Sequence, residues 1–178
     1  SQNPGQRDYP FCLHARYETQ RAILGDVVAA LHLQGIRKLI IVNGHGGNSF
    51  KNMIRDLSVD FPDFLIAITN WYGIVPQEGY FENKDDHAGE LETSVMMYYH
   101  PELVNLDEAG EGTSKPFALS SLNAQIAWLP RYWSKVSADT GIGDPRKSTP
   151  EKGERYAKAV IEKLALLFTE IGSKEVYL

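Results

Sequence analysis

The sequence contains a single cysteine, Cys12, among its 178 residues. One cysteine excludes an intrachain disulfide and any CxxC metal or redox motif, and it suits the reducing cytoplasm that we expect for this protein. No apolar run approaches the roughly 20 residues that cross a bilayer, because Lys and Glu interrupt the longest ones, such as residues 158–168. The sequence therefore predicts neither a membrane-spanning segment nor a membrane partner.

Basic charge is also scarce, since 18 Lys and Arg face 23 Asp and Glu, for a formal net charge of -5. Without a basic stripe to neutralise phosphates, nucleic acid is not an expected partner. The first residues, SQNPGQRDYP, lack the basic and apolar regions of a signal peptide, and they resemble the start of a segment cut from a longer chain. The hydrophobic fraction of 43% is enough for a core, so we predict a single domain over residues 1–178.

Alternating helix and strand patterns indicate an α/β protein. Residues 17–33 predict a helix that ends at Gly35, with an inner face formed by Ile23, Val27, Ala30 and Leu31. The run KLIIVNG predicts a strand covered on both faces, as in a parallel sheet. A second helix, capped by Asn48 or Ser49, should end before Pro62, and DFLIAITNW predicts the next strand. Right-handed crossovers then give an α/β layered domain with a parallel sheet.

Two further helices follow. One should run from about Gly89 to Tyr99, and a terminal helix should be capped by Thr149 with Pro150 at its first position. Its apolar stripe is predicted at five positions: Tyr156, Val160, Leu164, Leu167 and Ile171. Residues 105–149 are rich in Gly, Ser and Pro, so they predict long loops of the kind that border active sites.

The loop NGHGGN follows the first predicted strand and contains His45. In open α/β sheets, ligands bind beyond the carboxyl ends of the strands, which is where this histidine falls. Gly46 and Gly47 would let backbone and ligand approach closely, and the following helix start could hold an anion. A tight turn with a merely exposed histidine is the alternative, and the missing GxGxxG spacing excludes a dinucleotide fingerprint.

A second cluster, DDHAGELETS, covers residues 85–94. If a helix begins near Ala88, His87 and Glu90 project in the same direction and could both serve one metal or one reaction. The alternative is a solvated helix start, in which Asp86, Glu90 and Glu92 interact with the helix dipole. Together with His45, these imidazoles and carboxylates form a set that binds Zn, Mn or Fe and activates water.

With NGHGGN after an aliphatic strand and HAGELETS some forty residues later, the sequence resembles the creatininase (creatinine amidohydrolase) family. RYETQ, ITNW, YHPELVNL and GIGDPRKSTPEKGE extend the resemblance from about Pro10 to the terminal helix. The resemblance implies a three-layer α/β/α fold with a mainly parallel sheet. It also implies a binuclear metal hydrolase that cleaves cyclic amides, formamides, peptide bonds or a ring carbon-carbon bond. It also implies two divalent metal ions per site and a homo-oligomer, commonly a hexamer.

Site roles follow from the resemblance one position at a time. His45 corresponds to the strand-end metal ligand, and His87 to a histidine proposed to carry protons to the leaving group, a task for a group that titrates near neutrality. Asp86 corresponds to an acidic residue just before this histidine, which we expect it to orient. Trp71 corresponds to a tryptophan that helps cover the substrate, although core packing would also explain it.

Within the segments that match, the sequence departs from creatininase in two places. Tyr-Glu of creatininase, whose glutamate binds metal, is replaced by Gly46 and Gly47, so we expect Glu90 to supply the missing ligand, with Glu92 as the alternative. The two glycines would then face the substrate. Asn83 and Lys84 replace a Trp-Asp pair, so creatinine is not the expected substrate.

The largest departure is at the N-terminus. The family's Glu-x-His motif and bridging Asp lie upstream of the segment that matches NPGQRDYPF, and this chain contains neither. We therefore expect a creatininase-like domain that lacks its first strand and metal-ligand segment, with incomplete metal occupancy, because two or three ligands leave much of the coordination sphere to water.

The sequence thus predicts a metal-dependent hydrolase of a small polar cyclic amide, formamide or cyclitol- or sugar-type ketone, acting through metal-activated water. One alternative is a non-catalytic binding or assembly module with an incomplete metal site. Another is a phosphate-binding domain that uses the Gly46-Gly47-Asn48 segment, which is disfavoured because that loop contains no Lys or Arg. Trp128, Tyr132 and Trp133 would form a lid or a subunit contact, and Arg131 could grip an anionic substrate.

Overall fold

The structure is a computed structural model that describes residues 2–83 and 86–177. Within these ranges, helices alternate with two strands in the first half of the chain, and helices and short 3-10 turns make up the second half. The helices are α1 (Tyr17–Leu33), α2 (Lys51–Asp60), α3 (Glu90–Tyr99), α4 (Ser120–Asn123), α5 (Trp133–Val136) and α6 (Pro150–Ser173). The strands are β1 (Lys38–Asn43) and β2 (Leu65–Asn70).

β1 and β2 pair in parallel, in a register that runs from Lys38 opposite Leu65 to Asn43 opposite Asn70. Helix α2 connects them, which is the crossover that a parallel pair requires. The predicted α/β class with a parallel sheet is therefore confirmed. The prediction that β1 is covered on both faces is wrong for Val42, which is 45% exposed.

The chain divides into two compact units. Unit 1 takes its described residues from the ranges Ser1–Asn3, Pro10–Ile74 and Glu162–Leu178, and unit 2 consists of Pro4–Tyr9 and the described part of Val75–Ile161. The assignment of one domain to residues 1–178 stays a prediction.

The core of unit 1 lies between α1, α2 and the sheet, where Val28, Leu57 and Phe64 are buried. Helix α1 has the predicted bounds and is terminated by Gly35, two residues after its last residue. The φ of Gly35 is 83°, the left-handed conformation typical of helix stops. Its predicted inner face is wrong at Ile23 and Val27, which are 60% and 43% exposed, because the neighbouring Leu24 and Val28 face the core instead. At Leu31, which packs against the core, the prediction is confirmed.

The core of unit 2 surrounds Tyr156, which is fully buried and donates a hydrogen bond from its hydroxyl to the carbonyl of Val75 at 3.0 Å. The rings of Tyr80 and Phe81 contact it edge-on, with centroids 5.4 and 5.2 Å away. The predicted cap of α6 is confirmed, because the backbone N–H of Lys152 donates to the hydroxyl of Thr149 at 3.2 Å. Aromatic packing thus fixes the first half of α6 within unit 2.

Two other features concern helix ends and length. Helix α2 begins after Phe50 without a side-chain cap, so the predicted cap by Asn48 or Ser49 is wrong. In the part of the chain that the structure describes, no helix has both the length and the apolar character needed to cross a membrane.

Candidate functional site

The loop that contains His45 is held by the asparagine at the end of β1. Asn43 is 3% exposed, and its side-chain amide donates to the side-chain oxygen of Asn70 at 2.8 Å and to the carbonyl of His45 at 2.9 Å. Its side-chain oxygen accepts from the backbone N–H of His45 at 3.2 Å and from the side chain of Asn48 at 3.1 Å. Both donors and both lone pairs of one amide are therefore used to fix the loop.

The imidazole of His45 lies against the N-terminal segment of unit 1. Its Nε2 is 2.6 Å from Oδ1 of Asn3, a geometry in which the ring N–H donates to the amide oxygen. A Cβ atom on Gly47 would lie 2.7 Å from the same Nε2, whereas one on Gly46 would meet nothing closer than the Tyr72 hydroxyl at 3.7 Å. A side chain at position 47 would therefore displace the histidine ring or the N-terminal segment, whereas Gly46 has more space around it.

Trp71 directly follows β2 in a 3-10 turn, Trp71–Gly73, and is half-buried. Its ring meets that of Tyr72 edge-on, with the centroids 6.3 Å apart. The substrate-covering role of Trp71 stays a prediction.

The second histidine lies in a strained turn of unit 2. His87 is in an extended segment whose N–H donates to the carbonyl of Ile142 at 3.0 Å and whose carbonyl accepts from the N–H of Ile142 at 2.8 Å. Ala88 then has a φ of 51°, and α3 begins only at Glu90. The helical spacing predicted for His87 and Glu90 is therefore wrong, because His87 lies before the helix.

The left-handed conformation of Ala88 is disfavoured for a residue with a Cβ by about 1–2 kcal/mol. Several hydrogen bonds hold it in place: its N–H donates to Oε2 of Glu92 at 2.6 Å, and its carbonyl accepts from the hydroxyl of Thr93 at 3.2 Å. Strain of this kind persists where the surroundings over-determine the backbone, and it is common at functional sites.

The imidazole of His87 is partly exposed and has two neighbours. It meets the ring of Trp133 edge-on, with centroids 4.9 Å apart, and its Nδ1 is 3.8 Å from Oε2 of Glu92. Asp86, predicted to orient this histidine, instead forms an ion pair with Arg131, whose guanidinium lies 4.9 Å from the centre of the Trp133 ring. The orienting role of Asp86 stays a prediction.

Glu90 lies in a cluster of its own. Its side chain is fully buried; Oε2 accepts from the backbone N–H groups of Glu82 and Asn83, both at 2.9 Å, and Oε1 accepts from Nζ of Lys152 at 2.6 Å. The hydrogen bond to Glu90 raises the pKa of Lys152 above its usual value, and contacts with Lys147 and Lys152 lower the pKa of Glu82. Both oxygens of Glu90 thus accept hydrogen bonds from groups of the protein, and its ligation of a metal stays a prediction.

These neighbours bear on the metal ions that the resemblance implies. Among residues 2–83 and 86–177, no group of three or more His, Cys, Asp or Glu side chains is arranged to hold a metal ion. Nε2 of His45 is hydrogen-bonded to Asn3, and Glu90 is paired with Lys152. The described residues therefore do not fit a binuclear site by themselves.

Several residues that hold the His45 loop and the His87 turn were not predicted from the sequence. The strand-end asparagines had a signal, because both strands end in Asn, as IVN and ITN, and a parallel register places Asn43 opposite Asn70. No sequence signal marks Asn3 or Lys152. Asn3 contacts His45, and Lys152 contacts Glu90, across a long stretch of sequence. Arg131 and Trp133 were noted, but not as neighbours of Asp86 and His87.

The family model described as Creatininase: Creatinine amidohydrolase matches residues 1–168. A mycofactocin precursor peptide peptidase of Mycobacterium ulcerans (strain Agy99) is 30% identical over 129 residues, which are 70% of this chain and 45% of that protein. The creatinine amidohydrolase of Pseudomonas putida is 23% identical over 156 residues, which are 79% of this chain and 58% of that protein. The chain thus spans about half the length of the curated relatives it matches.

Solved structures show the same relationship. A candidate creatinine amidohydrolase from Bacteroides fragilis NCTC 9343 is 62% identical, with a TM-score of 0.95 over 99% of this chain and 70% of that one. A manganese form of creatininase and a mutant of zinc-zinc type share the fold at TM-scores of 0.71 and 0.70, with 20% and 22% identity over 94% of this chain and 69% of theirs. Since the family model covers nearly the whole sequence, the chain belongs to the creatininase family.

Proposed function

We propose that this chain serves a metal-dependent hydrolase that cleaves an amide bond in a small polar substrate. The observation that supports the proposal is the family match over residues 1–168, together with two relatives whose names both describe the hydrolysis of a C–N bond. A cyclic amide or a formamide is therefore preferred over a cyclitol- or sugar-type ketone. By family resemblance we also propose a homo-oligomer, a hexamer, in the cytoplasm.

His87 is the proposed proton donor to the leaving nitrogen. Its side chain is 35% exposed, so a substrate can reach it, and the carboxylate of Glu92 lies 3.8 Å from its Nδ1. Among the described residues, no hydrogen-bond partner occupies Nε2, while Nδ1 faces Glu92. Nε2 is thus the proposed proton-transferring atom.

His45 is the proposed metal ligand of the strand-end loop, and divalent Zn or Mn is the proposed metal type. Ligation through Nε2 requires the hydrogen bond to Asn3 to be exchanged for the metal, because one nitrogen cannot donate a proton and bind a cation together. Gly46 is the proposed point of substrate approach, since the space beside Gly47 is taken by His45 and Asn3.

A non-catalytic binding or assembly module is the second candidate. The observation that favours it is that both carboxylate oxygens of Glu90 accept hydrogen bonds, from Lys152 and from two backbone amides. A peptide substrate is the alternative within the hydrolase proposal, suggested by the name of the Mycobacterium ulcerans relative.

The test is an assay of ring opening of creatinine to creatine and of amine release from an N-formyl amine and a short peptide, with Zn²⁺ or Mn²⁺ supplied. We expect turnover of one substrate class, with a loss of about 100-fold or more for His87→Gln. His100→Gln is the matched control, because His100 is a surface histidine whose ring pairs with Glu102. Hydrolysis by His87→Gln at the wild-type rate would overturn the role of His87, and metal binding without hydrolysis of any class would favour the binding module.

A further inference from the structure

We propose that Trp133 is a positioning residue for His87, held in place by Arg131; this inference rests on the proposed function of His87. Trp133 is the first residue of the short helix α5, and its ring meets the imidazole edge-on at 4.9 Å with an interplanar angle of 71°. This is the geometry in which the positive edge of one ring meets the negative face of another. It restricts rotation of the imidazole about its side-chain bonds.

Arg131 links the Trp133–His87 contact to Asp86, so that four side chains are connected. Its guanidinium pairs with Asp86 and also lies 4.9 Å from the centre of the Trp133 ring. Because Asp86 and His87 are neighbours in the chain, residues 131 and 133 hold residues 86 and 87 at two points. Arg131 is only 33% exposed, so its ion pair and its cation-π contact are less screened than those of a surface arginine.

The backbone of the same loop also holds His87. Ser137, which follows α5, is buried and donates from its hydroxyl to the carbonyl of Gly141 at 2.8 Å. The next residue, Ile142, makes the two backbone hydrogen bonds to His87. One segment, residues 131–142, therefore contacts His87 through a side chain at its start and through the backbone at its end.

This arrangement differs from ordinary core packing, because His87 and Trp133 are both only partly buried. Trp128 provides the contrast within the same loop region, since it is 85% exposed. The contact also has a direction: with Trp133 against the ring and Glu92 beside Nδ1, the imidazole presents Nε2. A proton donor needs such a fixed orientation, because small misplacements reduce the rate strongly.

The first test is spectroscopic and needs no activity. The side-chain resonances of His87 are identified by their loss in His87→Gln, and they are followed in Trp133→Leu, Trp133→Phe and the control Trp128→Leu. We expect the His87 resonances to shift in Trp133→Leu, because the indole ring current is lost, and to stay in place in Trp128→Leu. Unmoved His87 resonances in folded Trp133→Leu would overturn the contact.

The second test separates positioning from substrate binding. We expect Trp133→Leu to lower kcat about tenfold to a hundredfold with little change in KM, and Trp133→Phe to restore part of the loss. Trp128→Leu should leave both constants unchanged. Wild-type kcat in Trp133→Leu, alongside inactivity of His87→Gln, would overturn the positioning role while the proposed function stands. If the chain hydrolyses no substrate, the proposed function fails and the resonances of His87 still decide the contact.

Discussion

The loop of His45 and the turn of His87 hold their imidazoles by different means. In the first, one buried neutral amide, Asn43, fixes the backbone through four hydrogen bonds, most of them to residues close in sequence. In the second, charged and aromatic side chains from distant segments act together with a left-handed residue, Ala88. The comparison teaches that a strand end can present a histidine from local sequence, whereas a turn before a helix needs tertiary contacts.

The largest expected effect tests the buried pair of Glu90 and Lys152, near the His87 turn in the sequence. Glu90→Ala leaves Lys152 without its buried partner and two backbone N–H groups without an acceptor, so we expect a loss of about 3–5 kcal/mol in the free energy of unfolding. Urea unfolding monitored by circular dichroism measures it. Glu154→Ala is the control. Glu154 pairs with Lys158 on the surface of α6, the helix that also contains Lys152, and such surface pairs contribute about 0–1 kcal/mol.

A loss below about 1 kcal/mol for Glu90→Ala would contradict the structural role of this carboxylate. The double variant with Lys152→Met then measures the coupling between the two charges, since removal of both partners should be less harmful than removal of one.

The second effect tests the amide of the His45 loop. Asn43→Ala leaves the carbonyl and N–H of His45 and the side chains of Asn48 and Asn70 without this partner, so we expect a loss of about 2–3 kcal/mol. Asn52→Ala is the control, since Asn52 only accepts a hydrogen bond from Arg55 on the exposed side of α2. Thermal unfolding of both variants measures the difference, and equal stabilities would mean that the Asn43 network does not hold the loop.

The two regions also differ in how far the sequence predicts them. The bounds of α1 and the Thr149 cap follow from local signals, and so does the position of His45 after a strand. The inner face of α1 does not follow from local signals. In Ile23-Leu24 and Val27-Val28, two apolar residues are adjacent, so either one could face inward, and only contact with the core decides which. Periodicity cannot resolve such a choice.

The His87 turn was harder to predict for a physical reason. An alanine in the left-handed region has no sequence signal, because alanine favours helix and Ala88 is held by Glu92 and Thr93. Likewise, an acidic residue in the first turn of a helix usually faces water, and the burial of Glu90 depends on Lys152, which lies 62 positions away. The residue types of the site were therefore predictable, while their partners were not.

The smallest expected effect sharpens the comparison through pH. Asp144 lies in the loop just after Ile142; hydrogen bonds from the side chain and backbone of Arg146 lower its pKa from 3.8 to about 2. A lowered carboxyl pKa contributes stability that is present above pH 4 and is lost as the pH falls towards 2. Asp144→Asn should therefore remove part of the acid dependence of the urea midpoint between pH 4 and 2. By contrast, the Asn43 network contains no carboxyl group and should give Asn43→Ala the same acid dependence as the wild-type chain. If Asp144→Asn keeps the full acid dependence, the ion pair with Arg146 contributes nothing to the loop that holds His87.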